Sequence, residues 1–455
     1  IAGAANTNEG AGSGSTEPPP PAANVWPMMG HDPKNWYYNP AETTLSASNA
    51  GQLAEKWRFT IEGMPNGSPA IAEGKVFASA TGGLYGIDLA TGKQIWSRSD
   101  IGTTSSVAYD DGAIYVLNLT PPQLYKLKAS DGTTIWGPSV AYDPENSDGE
   151  SSPIIAAGKV IVGHANTPRE LSLDANAAPG ARGGVEAFDA TSGEKLWTYY
   201  TLPEVKAGTE NGASVWSSVA IDVDASTVFA TTGNNFTVAG PNSDAFHAFD
   251  LVTAERRWVS QVRKDDLFCL ACGGDLATQD MDFGANPILA EVGDRKIVAA
   301  GNKTSTFYVV DRKTGEMVWA RDKLSASYTG LYGGIFINGA FDGQHFYVVA
   351  NDSDTETANV YKLDPNNGAD VWTHKLDDVT WGATSLANGL LLVPNNSMLY
   401  VLSAENGEVL NKFETGGTIA GGAAAIADAH IVVKSGLTYL ANVTANDQII
   451  CYGLP

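Results

Sequence analysis

One recurring unit decides what this chain can become. Its clearest copy is YGIDLATGKQIW, in which a short apolar strand leads into a turn with Asp88 and Gly92 and a second strand ends on Trp96. The spacing returns with Asp189, Gly193 and Trp197, with Asp311, Gly315 and Trp319, and with Asp364, Gly368 and Trp372. Weaker copies carry Asp250, Ala254 and Trp258, and Gly132 with Trp136; a degenerate one has Ser403 and Gly407, with Asn411 where Trp would fall. Trp57 ends a strand, AEKWRF, without the preceding turn. The eight positions 57, 96, 136, 197, 258, 319, 372 and 411 are 39 to 61 residues apart, which suits four short strands per unit. No stretch holds helical periodicity over three turns. Eight such units closed in a ring predict an all-β chain, an eight-bladed β-propeller. The Asp and Gly are turn residues, one bonding backbone N–H groups and the other supplying positive φ. The Trp is expected to pack between blades.

The blade of Trp57 needs strands from elsewhere. The segments 429–434, 437–443 and 448–452 are the expected donors, so that both chain ends build the last blade and no edge is left open. Residues 1–23 are rich in Gly, Ser and Asn and end in four prolines, which reads as a disordered spacer ahead of one propeller domain over 24–455. Such a tail would tether the domain to an envelope. The chain starts at Ile1, which fits removal of an export signal and a periplasmic or extracellular location. No apolar run is long enough to span a membrane as a helix.

The balance of 28 Lys and Arg against 51 Asp and Glu, net −23, argues against nucleic acid and anionic membranes as partners. Of three cysteines, Cys269 and Cys272 lie two residues apart; a disulfide loop, a redox pair or half a zinc site are the alternatives. With no second Cys pair and no nearby His, a structural disulfide is expected there, with Cys451 free. No Cys-x-x-Cys-His occurs, so no covalent c-type haem is expected.

Unequal loops locate the functional face. The 61-residue steps between positions 136 and 319 carry extra residues in 139–150, 166–182, 201–214, 234–243 and 265–279, and long loops over a repeat ring usually form the working face. Within this region 216–234 reads as a hairpin, whose outer ends Trp216 and Asn234 come to one sheet edge. An indole face beside an amide oxygen could stack a flat ligand and help hold a hard cation. In DMDFGANPIL, Asp280 and Asp282 are two apart in extended chain and face one side, which suits a base beside a metal. Lys303 follows one strand later, at an expected strand start, placed to neutralise an oxyanion.

Together these stretches resemble the pyrroloquinoline quinone (PQQ) dependent alcohol dehydrogenases over residues 26–375, and most of all their polyvinyl alcohol dehydrogenase-like branch. WPMMGHDPKNWYYNP, CLACGG ahead of DMDFGANPIL, and YGGIFINGAFDG carry the likeness. The resemblance implies that Trp216 stacks on the quinone, that Asn234 binds the metal, that Asp280 or Asp282 is the base, and that Lys303 contacts the quinone oxygens. Alignment without a gap on Pro287-Ile288-Leu289 makes Asp280 the base and leaves Asp282 as an extra metal ligand of the kind found in lanthanide-using relatives. The family's Glu ligand falls on Glu170, after a small insertion. The adjacent-cysteine disulfide of the methanol and ethanol enzymes is absent. The implied activity is oxidation of an alcohol, including secondary or polymeric ones, with PQQ and Ca²⁺ or a lanthanide as cofactors, and with electrons passed to an external acceptor such as a cytochrome c. The alternative is a non-enzymatic propeller of the same repeats acting as an envelope protein-binding or structural scaffold.

Overall fold

A computed structural model of the chain describes residues 24–141, 147–172, 182–203, 208–270, 280–328, 333–436 and 446–455. It contains eight antiparallel four-stranded sheets, each read in sequence order from the central channel outward. Blade one comprises Ala70–Ala72, Lys75–Ala80, Gly83–Asp88 and Gln94–Arg98, and the next six follow the same order. The eighth closes the ring: Ala425–Ala427, His430–Ser435 and Gln448–Gly453 are completed on the outside by Ala54–Thr60. The expected donors differ from this in one place. The inner strand is Ala425–Ala427, too short and Ala-rich to stand out in the sequence, whereas 437–443 lies outside the described residues. The tail, 1–23, also lies outside them.

The repeat residues interlock neighbouring blades. Each Trp sits on an outer strand against the turn glycine of the following blade, or against Ala254 in the case of Trp197: a Cβ on Gly92 would lie 2.6 Å from Trp57, and one on Gly368 2.8 Å from Trp319. These glycines have φ of 68° and 73°, so conformation and contact both demand Gly. The indole N–H donates to a carbonyl of the same turn, from Trp57 to Leu89 at 2.8 Å and from Trp319 to Pro365 at 3.0 Å. Asn411 breaks the pattern because the element that follows it is different. It faces the short 3₁₀ turn Ala50–Gln52 and donates to Ala50 O at 2.9 Å.

Two further devices close the channel. At the start of the inner strands a belt of side chains links the blades: Ser68, Ser106 and Ser152 donate their backbone N–H to the hydroxyls of Ser106, Ser152 and Ser218, at 2.8 to 2.9 Å. Ser218 N–H continues it to Asn286, Asn286 N–H to Asn338, and Ala423 N–H joins it to Ser68. At the other end the segment 26–39 straps the floor. Its carbonyls accept N–H groups from inner strands around the ring: Pro27 from Tyr109, Pro33 from Ile221, Lys34 from Leu289, Trp36 from Phe341 and Tyr37 from Leu386. Trp26 pairs in both directions with Ile71, and Asn39 Nδ2 donates to Ile426 O. These inner edges would otherwise carry unpaired backbone groups.

Candidate active site

The belt fixes where the site can form. Counting two residues back from each belt residue gives Asn66, Thr104, Glu150, Trp216, Gly284 and Phe336, one per blade from blades one to six. All six line a cavity at the upper end of the channel, with Trp381 from blade seven. Trp216, Phe336 and Trp381 form an aromatic arc, with centroids 6.1 and 5.6 Å apart, and Asn66, Thr104 and Glu150 come from the other blades. Glycine keeps the Trp216 ring accessible: a Cβ on Gly284 would lie 2.4 Å from the indole, and one on Gly233 would lie 2.7 Å from Asp282 Oδ2.

Four of the residues singled out in the sequence meet beside this cavity. Trp216 Nε1 donates to Asp282 Oδ2 at 2.9 Å. Lys303 Nζ bridges Asp280 Oδ1 at 2.5 Å and Asp282 Oδ1 at 2.8 Å, and lies 5.3 Å from the Trp216 ring centre. The two carboxylates share one side, as the extended spacing predicts. Lys303 departs from its expected position. It begins the turn after Arg295–Asn302 rather than a strand. Asn302 Oδ1 accepts from Thr304, ending the strand, and Lys303 N–H donates to Asp282 O at 3.1 Å.

Asn234 follows Gly233, and its Nδ2 donates to the carbonyls of Asn235 and Phe268, both at 2.8 Å. This fixes the amide so that its oxygen points away from those carbonyls. Glu170 ends a one-turn α-helix, Thr167–Glu170. It senses Asp280, Asp282 and Lys303, so the insertion before it does not carry it away from the cluster. Cys269 is disulfide-bonded and Cys451 is free and buried; Cys272 lies outside the described residues.

Negative charge is crowded here. Burial pushes the Asp280 carboxyl up to about 6; Lys303 opposes the shift and Asp282 adds to it. Burial also raises Glu170 well above the usual range, with Asp280 and Asp282 adding to the effect. Glu150 is raised by burial, and Asp148 reaches about 8 through burial and the charge of Glu150. Asp266 reaches about 6 by burial and by Asp282, and Asp244 rises well above its ordinary value by burial and by Asp266. Burial disfavours the Lys303 ammonium, but Asp280 and Asp282 outweigh it and raise its pKa. Among the described residues no three His, Cys, Asp or Glu side chains are arranged to hold a metal ion.

Sequence reading missed Asn66, Thr104, Glu150, Phe336 and Trp381. The signal for the first four was available: NGSP, TSSV, ESSP, WSSV, GANP and FING align one to one at the inner-strand starts.

Comparison with known proteins places this geometry. Residues 135–331 match the glucose/ethanol/alcohol dehydrogenase β-propeller domain of PQQ proteins, and 356–451 match the outer membrane protein assembly factor BamB family. A polyvinylalcohol dehydrogenase of a Pseudomonas species is 28% identical over 361 residues, which cover 72% of this chain and 56% of that protein. The chain therefore spans little more than half the length of this relative. The quinohemoprotein alcohol dehydrogenase of Comamonas testosteroni superposes with a TM-score of 0.75 at 17% identity, covering 95% of this chain and 80% of that one. A europium-containing methanol dehydrogenase gives 0.77 at 16%, covering 95% and 98%. By these matches and its eight-bladed fold, the chain is similar to the PQQ-dependent alcohol dehydrogenases, and over 135–331 to their β-propeller domain.

Proposed function

We propose that this chain is the propeller of an exported PQQ- and metal-dependent alcohol dehydrogenase. The observation that carries the reading is the convergence of Trp216, Asp280, Asp282 and Lys303 beside one cavity at the mouth of the channel. The residues fit a flat, anionic quinone. Gly284 and Gly233 leave the ground beside Trp216 clear, Trp216 offers its face, and Lys303 offers a buried cation. For a hard cation the chain offers buried carboxylates that outnumber the ammonium, although the described side chains are not arranged as a finished metal site. Asn234, Glu170 and Asp282 would hold Ca²⁺ or a lanthanide, with the cofactor's own oxygens completing the shell. When bound, the quinone would accept hydride from the alcohol carbon, and the metal would act as a Lewis acid.

The chain's own residues supply the rest. Asp280, with a pKa of about 6, is largely ionised at neutral pH and takes the hydroxyl proton of the alcohol. Lys303 steadies the negative charge that develops on oxygen. The aromatic arc excludes water from one side of the cavity. The polyvinylalcohol dehydrogenase relative favours a secondary or polymeric alcohol as substrate. Electrons leave to a separate carrier, and a basic cytochrome c would suit a surface of net charge −23. A periplasmic or extracellular setting, with residues 1–23 as tether to one propeller domain over 24–455, completes the reading.

The match of 356–451 to the BamB family favours a second reading, a scaffold that binds envelope proteins. The acidic cluster, however, lies in blades three to five, outside that segment. Reconstitution decides between them. The protein is titrated with PQQ and Ca²⁺ or La³⁺, while absorbance and dye reduction are followed over a panel of primary, secondary and polymeric alcohols. Saturable uptake with alcohol-dependent dye reduction is expected. Failure to take up PQQ with either metal would overturn the enzyme reading.

A further inference from the structure

A second cavity opens on the opposite face, at the seam between blades four and five, and encloses about 710 Å³, within the range of small-molecule sites. It arises from one change in the repeat. Three residues before each turn glycine, or its Ala254 counterpart, six blades carry Leu89, Ala129, Ala190, Leu251, Pro365 or Ala404, and each of these carbonyls accepts the indole N–H of the preceding blade. Blade five has Arg312 there. Its buried guanidinium turns across the seam to Asp222 at 2.8 Å and to Ala290 O at 2.6 Å. Trp258 still stacks on Gly315, where a Cβ would lie 2.6 Å from the indole, but its N–H makes no such bond among the described residues.

The walls combine that indole, backed from the core by the buried Phe229 at 5.9 Å between centroids, with Arg257, Arg295, Lys296 and Lys313. The bordering carboxylates are mostly spent. Asp222 holds Arg312, and Asp311 Oδ1 caps its own turn by accepting from Lys313 N and Thr314 N; Asp294 remains. Arg257 is spent on Asp250 at 2.9 Å, and Arg295 reaches only Asn366 Oδ1, at 3.2 Å. Among the described residues Lys296 has one carboxylate within 4 Å, Glu291 at 3.8 Å, and it also acts on the charge of Asp222. Cationic walls around an aromatic floor are unusual on a chain of net charge −23.

We propose that this seam is a binding site for an aromatic carboxylate, separate from the cavity at the channel mouth. The ring of the ligand packs on the half-buried Trp258, which Phe229 backs from the core, and its carboxylate accepts from Trp258 Nε1 and from the rim cations. The test is calorimetric titration of the full chain with 2-naphthoate, with the neutral 2-naphthamide as control. One saturable site is expected, bound about tenfold more weakly by the amide, by Trp258→Phe, and by the exposed-rim double variant Lys296→Glu with Lys313→Glu. Trp216→Ala should leave naphthoate binding unchanged. The inference falls if no saturable heat appears, if the rim variant binds like the parent, or if Trp216→Ala abolishes binding, which would place the probe in the other cavity.

Discussion

The two faces of the ring are built from the same strands, yet they treat their carboxylates in opposite ways. On the lower face Asp88, Asp189 and Asp250 sit in exposed turns. Bonds from turn N–H and hydroxyl groups push their pKa values down, Asp250 to about 2. On the upper face burial pushes Asp280 and Asp266 up to about 6 and Asp148 to about 8. A carboxylate held below its ordinary range favours the folded chain, and one held above it opposes folding at neutral pH. The lower face is thus arranged for stability. Among the described residues the upper face leaves Asn235 Oδ1 buried without a hydrogen-bond partner and crowds the carboxyl of Asp244 against that of Asp266, a cost that persists where function needs it.

The sharpest test of this contrast is Asp280→Asn. Turnover of the reconstituted enzyme should fall by about 10² to 10⁴, the range for loss of a general base, while PQQ uptake is largely retained. Thermal stability should hold, because an amide is cheaper to bury than a carboxylate. Equal losses of cofactor uptake and turnover would make Asp280 a holding residue instead.

The floor should answer in the opposite way. Asn35, at φ 58°, is fully buried in the strap and donates to Val219 O and Pro287 O, both at 3.0 Å, from blades four and five. Asn35→Ala leaves both carbonyls without that donor and should cost about 2 kcal/mol in urea unfolding, with kcat unchanged. A change in kcat with no loss of stability would mean that the strap shapes the site rather than the fold.

The turn lock gives a smaller effect. Gly368→Ala puts a Cβ at φ 73°, 2.8 Å from Trp319, and should cost about 1 to 2 kcal/mol. A neutral result would show that the blade five indole moves aside.

What was legible follows from the same contrast. The lower-face locks use side chains that only Asp, Gly and Trp provide, so the eight blades could be counted in the sequence, even where Asn411 answers a different element. Trp216, Asp280, Asp282 and Lys303 were legible because their chemistry is unusual at strand ends. The strap was not, because 26–39 bonds through backbone carbonyls, which any sequence has, and shows no period. Glu150 was overlooked for another reason: it stands at a position that holds Asn, Thr, Trp, Gly or Phe in other blades, so its own residue type gives no repeat and only alignment on the neighbouring Ser and Asn of the belt picks it out.

The smallest expected effect concerns Lys434, where blade eight meets blade one. Its Nζ donates to Ser79 O and Ser79 Oγ, both at 3.0 Å, and among the described residues it forms no ion pair. Burial pushes its pKa from 10.5 down to about 7. As pH falls between those values, the unfolded chain takes up a proton that the folded chain resists, so the fold loses stability across that window. Below about 7 both forms carry the proton and the penalty stays constant. Lys434→Met removes this titration but leaves Ser79 O short of a donor. Compared by urea unfolding, the parent should therefore gain about 1 kcal/mol or more on the variant between pH 7 and pH 10. Parallel pH curves would show that Lys434 keeps its charge inside the seam, and that the closure of the ring tolerates a buried cation on two neutral oxygens.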